Sequence, residues 1–343
     1  MVINHQDLRA GVAKKGPATQ RDALLRSGLL LEHHVGAHLT KAAFQDKGTY
    51  EYQRSGPGGS IESVDRWGVQ TWVEEGVPFR LFASVECKYH TNARRWFFLP
   101  PPPNVADRSR AAFFAATQAP EVRRKLAPLL AERFNGTAPV GPGVSLFQNQ
   151  SGGWENDDRH ELDTALRQCT LPIGHHLQFM LEEGITLDYP PPVAIYQPMI
   201  VTNAELIQLS PDTTLEMVEN LAQDEDPVRL GKSVQFVEAF FDPPTYAEQQ
   251  FHEWIGGMFD YLFSTHTRRF VDGRLAEWDD DAAKIPHAME RSLLTNQPSR
   301  ALICRAGAFG NLVETVARFY RTKTAEALAP MPRPRRVAAT RSQ

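Results

Sequence analysis

The chain has 343 residues, of which 42% are hydrophobic and 23% charged, and its formal net charge is −4. This composition indicates a globular protein of one large or two modest domains, and the charge argues against a surface coated in positive residues. No run approaches the roughly 20 apolar residues of a membrane span, and the N-terminus lacks the apolar region of a signal peptide, so the sequence predicts a cytoplasmic protein without membrane partners.

The first predicted helix, Arg21–Ala43, follows residues 1–18, which show no sustained periodicity and are predicted to form a flexible arm. Glu32 falls in or beside the apolar stripe of this helix. A carboxylate there costs free energy unless it finds a partner or a metal, so Glu32 is either a site residue or the edge of the helix. His34 and His38 are four residues apart, as metal ligands can be, or they serve a structural role.

Two strands and a turn are predicted next, after a short strand over Gly48–Gln53. Ile61–Trp67 reads as a strand that carries Asp65, and the turn signal Glu74–Pro78 leads into an apolar strand over Phe79–Tyr89. We expect these two strands to form an antiparallel hairpin. Asp65 would then approach the polar end of the second strand.

That polar end carries Glu86 and Lys88. In a strand, residues two apart project to one face about 7 Å from each other, whereas Cys87 faces the other way. A carboxylate binds hard divalent cations, and a neighbouring ammonium can orient a water or offset charge on a phosphate. Two other interpretations stay open: an ordinary surface ion pair, or a nucleophile pair of Cys87 and His90.

A helical insertion is predicted over about residues 100–143, between this strand and the next core helix. The next helix is predicted to begin near Asn156 and to end before Pro172, because proline disfavours a continuing helix. Gln168 neighbours its apolar stripe. Tyr196–Asn203 then reads as a buried core strand, which continues an α/β alternation.

The C-terminal third is predicted to hold a strand over Ser233–Phe241 and a mostly helical region, 246–329, packed on the core. Within that region we expect a short strand and three helices, namely Ala301–Cys304, Ala247–Phe263, Asp281–Leu294 and Leu312–Leu328. Residues 330–343 are rich in proline and arginine and are predicted to form a disordered basic tail. The three cysteines are far apart without a CxxC pair, which indicates reduced thiols.

The spacing of the acids and the lysine resembles the PD-(D/E)xK nucleases, also called restriction-endonuclease-like or Mrr-like. Asp65 is followed about twenty residues later by Glu86-x-Lys88 at the end of an apolar strand, and a helix that carries an acid precedes it. The resemblance covers roughly Arg21 to Leu206. It implies an α/β fold with a restriction-endonuclease-like core over residues 19–245, in which helices flank a central mixed β-sheet.

The resemblance also implies the roles of the matching residues. In this family the Asp and the Glu hold one or two Mg²⁺ or Mn²⁺ ions and the Lys assists the attacking water, so these roles pass to Asp65, Glu86 and Lys88. The backbone carbonyl of Cys87 would be a further metal ligand. The acid of the first helix corresponds to Glu32.

Relatives in this family carry a glutamine on the helix after the E-x-K strand, and Gln168 resembles it, although a surface amide is the alternative. The resemblance implies a DNA endonuclease in restriction or phage defence, with a homodimer or partner defence proteins as options. The alternative is a nucleic-acid-binding or structural protein with this fold and no catalysis. Five basic residues could contact phosphates, namely Arg94, Arg95, Arg333, Arg335 and Arg336.

Overall fold

A computed structural model describes residues 20–21, 24, 27–53, 61–101, 113–115, 120–130, 132, 134, 137–141, 143–149, 151–157, 160–186, 192–222, 226–240 and 300–329. In these segments the chain forms an eight-stranded main sheet, a five-stranded second sheet, a two-stranded hairpin and several helices. The predicted α/β class and the mixed sheet flanked by helices are therefore confirmed. Among the same residues, no helix has the length and apolar character needed to cross a membrane.

Five α-helices and fifteen strands lie in the described segments. In chain order they are α1 (Leu29–Lys41), β1 (Gln45–Asp46), β2 (Tyr50–Gln53), β3 (Ile61–Val64), β4 (Arg66–Glu74), β5 (Val77–Lys88), β6 (Arg94–Phe98), β7 (Phe113–Ala115), α2 (Pro120–Leu130), β8 (Ala138–Val140), β9 (Gly143–Gln148), β10 (Trp154–Asn156), α3 (His160–Thr186), β11 (Val193–Thr202), β12 (Glu205–Leu209), α4 (Leu215–Glu219), β13 (Gly231–Val234), β14 (Phe236–Phe240), β15 (Arg300–Arg305) and α5 (Phe309–Leu328). The helix predicted over Arg21–Ala43 is interrupted at Gly28, which has a left-handed conformation: residues 20, 21 and 24 are helical, and α1 begins at Leu29.

The main sheet has the strand order β1-β4-β5-β11-β15-β14-β8, and β7 pairs with β11 outside this path. Strands β5, β11 and β15 are parallel neighbours, whereas β4 is antiparallel to β5. Every residue of β11 is buried, as expected of a strand that is covered on both faces. The second sheet has the order β10-β9-β6-β12-β13.

The hairpin of β4 and β5 is the predicted one. Glu75 and Gly76 form its two-residue turn at φ values of 48° and 79°, a combination typical of type I′ hairpin turns. Asp65, however, lies at a bend between two strands and not inside one strand. The reason is that β3 leaves the main sheet and pairs with β2, whereas β4 pairs with β5.

Helices cover the two faces of the main sheet. On one face, apolar residues of α1, α2 and α5 pack against alternate residues of β5, which are Leu81, Ala83 and Val85. On the other face, the apolar stripe of α3 packs with Ile200 of β11 and Ile303 of β15. Burial of each such leucine, isoleucine or valine side chain stabilises the fold by about 1.5–3 kcal/mol. Successive side chains of a strand point to opposite faces, so this alternation decides which helix each of them contacts.

The prediction that α3 ends before Pro172 is wrong, because the helix continues to Thr186. Pro172 has no N–H and cannot donate to the carbonyl of Gln168, which is a local cost. Leu171 and Ile173 are both buried beside it. Leu171 packs with Tyr52 of the hairpin formed by β2 and β3, so burial of these side chains outweighs the local cost of the proline.

The C-terminal third supplies an interior strand, because β15 lies between β11 and β14. The strand expected at Ala301–Cys304 and the helix expected at Leu312–Leu328 are confirmed as β15 and α5. The single strand expected over Ser233–Phe241 is instead two strands, β13 and β14, in different sheets. The predicted arm, the two helices at 247–263 and 281–294, and the basic tail lie outside the described residues.

Candidate active site

Asp65 and Glu86 come together near the end of β5. The register of β4 and β5 pairs Arg66 with Val85, so the next position of each strand sets Asp65 opposite Glu86. Oδ2 of Asp65 accepts a hydrogen bond of 2.7 Å from the backbone N–H of Cys87. This bond ties the bend before β4 to the end of β5 and holds the two carboxylates side by side.

Lys88 connects these acids to α3. Its Nζ donates to Oε1 of Glu86 at 2.7 Å and to Oε1 of Gln168 at 2.9 Å. Glu86 and Lys88 therefore lie on the same face of β5, and Gln168 faces them from the helix. The structure brings together four residues that the sequence singled out, namely Asp65, Glu86, Lys88 and Gln168.

The two carboxylates are poorly solvated. The side chain of Glu86 is 3% exposed, and burial raises its pKa to about 7. Lys88 opposes this shift; the charge of Asp65 adds to it, whereas a hydrogen bond from the backbone of Asp65 opposes it. Burial also raises the pKa of Asp65. Oε2 of Glu86 is buried and has no hydrogen-bond partner among the described residues. Leaving such an oxygen unpaired costs about 1–3 kcal/mol or more, so the site favours an additional positive or donor group.

A small divalent cation could supply the positive charge that the buried oxygen of Glu86 lacks. Mg²⁺ prefers oxygen ligands and is usually bound through one or two carboxylates, with water and substrate phosphates completing its shell. In the described part of the chain, no group of three or more His, Cys, Asp and Glu side chains could hold a metal ion. The protein ligands would therefore be Asp65 and Glu86, and the Cys87 carbonyl stays a prediction.

Glu32 lies at the periphery of the site. It belongs to α1, which packs on the sheet face opposite α3. Burial raises the pKa of Glu32, and the charge of Asp65 raises it further, while Arg66 opposes the shift. Glu32 therefore acts on Asp65 through its charge, and no hydrogen bond between described residues joins the two.

His34 and His38 do not face the acids. Nε2 of His34 lies 3.2 Å from the carbonyl oxygen of Ala306, and the two imidazole rings are 4.5 Å apart. His38 packs edge-on against Phe309 at the start of α5. These contacts belong to the α1 face of the sheet, whereas Glu86 faces α3, so a transition-metal site built from this histidine pair and Glu86 is excluded.

Cys87 and His90 do not form a nucleophile pair. Cys87 packs with the α1 face of the sheet, and burial raises the pKa of its thiol well above the usual range. His90 lies near Glu161 of α3, on the other face. The thiol is therefore neutral and separated from the imidazole by the sheet.

Arg94 and Arg95, which could contact phosphates according to the sequence, form ion pairs within the chain. Arg94 binds Asp157 and Glu161, and Arg95 binds Glu205 and Asp226. Their charges are thus already offset by neighbouring carboxylates. The other predicted phosphate contacts, Arg333, Arg335 and Arg336, lie outside the described residues.

Two residues near Lys88, Glu161 and Asn203, were not identified from the sequence, and His90 was considered only as a partner of Cys87. The period of two that places Glu86 and Lys88 on one face extends to His90. Glu161 precedes Gln168 by seven residues, which is about two helical turns, so the two share a helix face. Asn203 directly follows the strand that is parallel to β5. Its contact with His90 depends on that pairing, which has no local signal.

The fold and the site define an α/β protein in which two poorly solvated carboxylates and a lysine meet at one strand end of the main sheet and an amide faces them from α3. No family model, no curated protein and no solved structure matches this chain. Function is therefore inferred from the chemistry of the site and from the motif.

Proposed function

We propose that this protein is a metal-dependent nuclease that hydrolyses phosphodiester bonds, most simply a DNA endonuclease of restriction or phage defence. The observation that carries the proposal is the pair of adjacent carboxylates, Asp65 and Glu86, with Lys88 held between Glu86 and Gln168. The order of α1, the β4–β5 hairpin, α3 and a strand parallel to β5 also agrees with a restriction-endonuclease-like core. The DNA substrate and the defence role rest on the resemblance.

Each side chain has a defined task in this proposal. Asp65 and Glu86 would bind Mg²⁺ or Mn²⁺, which lowers the pKa of a bound water and offsets charge on the phosphate. Lys88 orients the attacking water and offsets negative charge that develops on the phosphate oxygens. Gln168 accepts from Lys88 Nζ and so restricts the position of the ammonium. Glu32 adds negative charge beside Asp65 and would orient water there.

The proposal predicts metal-dependent cleavage that depends on the site residues. Supercoiled plasmid, linear duplex DNA and single-stranded RNA are incubated with Mg²⁺, Mn²⁺ or EDTA. Wild type should cut at least one substrate with metal, and Asp65→Asn and Lys88→Gln should each lower the rate by about 100-fold or more, because each removes a charge that acts on the reacting groups.

The exposed residues Asp212 and Lys232 offer matched controls, because Asp212→Asn and Lys232→Gln make the same chemical changes, and Lys232 lies on β13 at the edge of the second sheet. Both controls should retain the wild-type rate. If folded wild-type protein cuts no substrate and calorimetric titration detects no Mn²⁺ binding, the nuclease proposal fails. Binding of nucleic acid by such an inactive protein would then favour the binding-protein alternative.

A further inference from the structure

Arg66 directly follows Asp65, and its side chain lies on the α1 face of the main sheet. In the β4–β5 register it is paired with Val85, which packs in the apolar cluster on that face. A Cβ added at Gly36 of α1 would lie 3.6 Å from Cζ of Arg66, so the guanidinium packs against the helix at this glycine. Gly36 follows Glu32 by about one helical turn. The guanidinium therefore lies next to the part of α1 that carries Glu32.

An acid of β1 anchors this guanidinium. Nη1 of Arg66 lies 3.4 Å from Oδ2 of Asp46, and the other oxygen of Asp46 accepts the backbone N–H of Gly48 at 3.0 Å. A Cβ at Gly36 would lie 2.5 Å from the same Oδ2, so the glycine is what leaves room for the ion pair. The side chain of Arg66 is 19% exposed. Its position is thus defined by β1 on one side and by α1 on the other.

The charge of Arg66 acts on both acids of this region. Burial raises the pKa of Glu32, and the charge of Asp65 raises it further, whereas Arg66 lowers it. Burial also raises the pKa of Asp65. The backbone N–H of Cys87 opposes this shift most, and the charges of Lys88 and Arg66 oppose it further. Because a guanidinium stays protonated at physiological pH, Arg66 is a fixed positive charge near Glu32 and Asp65.

Packing alone does not explain an arginine at this position. Nε of Arg66 is buried and has no hydrogen-bond partner among the described residues. Leaving a buried donor unpaired costs free energy, and an apolar side chain of similar length would fill the space without that cost. The charge of Arg66, and its effect on the neighbouring acids, accounts for the residue better than its contribution to the core does.

Glu32 and Asp65 are also the acids that a second metal ion would need. Asp65 and Glu86 would hold a first ion, and the ions of two-metal sites lie about 3.5–4 Å apart. A second ion would therefore lie on the α1 side of Asp65, within reach of Glu32. Arg66 already places a positive charge there, and like charges repel each other in a poorly solvated site.

We propose that each chain binds one metal ion and that Arg66 supplies the positive charge that a second ion would otherwise bring. The inference rests on the proposed nuclease function, in which Asp65 and Glu86 are the metal ligands. Arg66 is then a positioning residue, because its charge acts through Asp65 and Glu32. Glu32 is not a metal ligand in the wild-type chain.

The test is a count of the Mn²⁺ ions that the metal-free protein binds in equilibrium dialysis, which requires no turnover. Wild type should bind one ion per chain at saturation. Arg66→Met keeps an unbranched side chain without the charge and should bind two ions, whereas Arg66→Lys should bind one. Adding Glu32→Gln to Arg66→Met should return the count to one, because a neutral amide is a weaker ligand than a carboxylate.

Arg318 is exposed on α5, so Arg318→Met is the matched control and should bind one ion. Circular dichroism checks that each variant is folded, and Arg66→Gln replaces Arg66→Met if the latter is not. Two ions on wild type, or one ion on the folded variant without the charge, overturns the inference, and the nuclease proposal stands if wild type cuts. The expected counts without any cleavage would support the role of Arg66 and contradict the nuclease. If wild type neither binds Mn²⁺ nor cuts, both fail.

Discussion

Asp65 has two roles that substitution can separate. Its negative charge adds to the acidic pair, and its Oδ2 accepts the backbone N–H of Cys87. The first role requires a carboxylate, whereas the second requires only an oxygen acceptor. Burial raises the pKa of Asp65, so the charge itself is a cost to the folded state when no metal is bound.

In EDTA, Asp65→Asn is therefore expected to be at least as stable as wild type, because the amide oxygen keeps the bond to Cys87 and the buried charge is gone. Asp65→Ala should be less stable than Asp65→Asn by about 1–3 kcal/mol, since it leaves a backbone N–H unpaired. Urea unfolding measures both, with Asp212→Ala as an exposed control. Equal stabilities of the two variants would show that the bond to Cys87 contributes nothing.

At the scale of residues, the sequence was informative where residues with metal-site chemistry lie in segments whose strand and turn structure is predicted locally. Asp65, Glu86 and Lys88 stand on one hairpin whose turn, Glu75–Gly76, has a strong local signal, so their convergence could be predicted. The contact of His90 with Glu161 depends on the packing of α3 against the strand end. No local pattern encodes that packing, and this half of the site appears only in the structure.

At the scale of elements, the difference between local sequence patterns and packing of distant segments explains where the predictions differ from the structure. Pro172 is a local stop signal, but the burial of its neighbours keeps α3 helical, and sequence analysis cannot weigh packing it does not see. His34 and His38 had the spacing of metal ligands, yet they fill the contact between α1 and α5. That contact requires a close approach of the two helices, which Gly310 makes feasible.

A Cβ added at Gly310 would lie 2.5 Å from Nδ1 of His38 and 2.7 Å from its Cε1. Gly310→Ala is therefore expected to destabilise the protein by about 1–2 kcal/mol net, although alanine favours the helix by about 1 kcal/mol. Combined with His38→Ala, the same change should cost less, which a double-mutant cycle in urea measures. Gly307→Ala is the control, because a Cβ there meets open space. Equal effects at both glycines would contradict this account of the contact.

At the scale of the whole molecule, the main sheet is assembled from distant parts of the chain. Strand β11 pairs with β5 on one side and with β15 on the other, and β15 follows it by about a hundred residues. Both strands are predicted from the sequence, but the resemblance implies a nuclease-like core within residues 19–245. The order of strands in a sheet depends on long-range pairing, so the position of β15 could not be read from its own residues.

This arrangement predicts that a chain ending at residue 245 does not fold, whereas one ending at Ala329 does. The shorter chain lacks β15 and leaves β11 and β14 without their shared neighbour. It also lacks Arg300, whose Nε lies 2.9 Å from the carboxylate of Glu238, so the truncation removes an ion pair between two buried side chains. The loss of α5 exposes the apolar face that it covers together with α1. Thermal unfolding followed by circular dichroism should show a cooperative transition for the longer chain alone. A cooperative transition of the shorter chain near the wild-type Tm would mean that β15 is dispensable for the core.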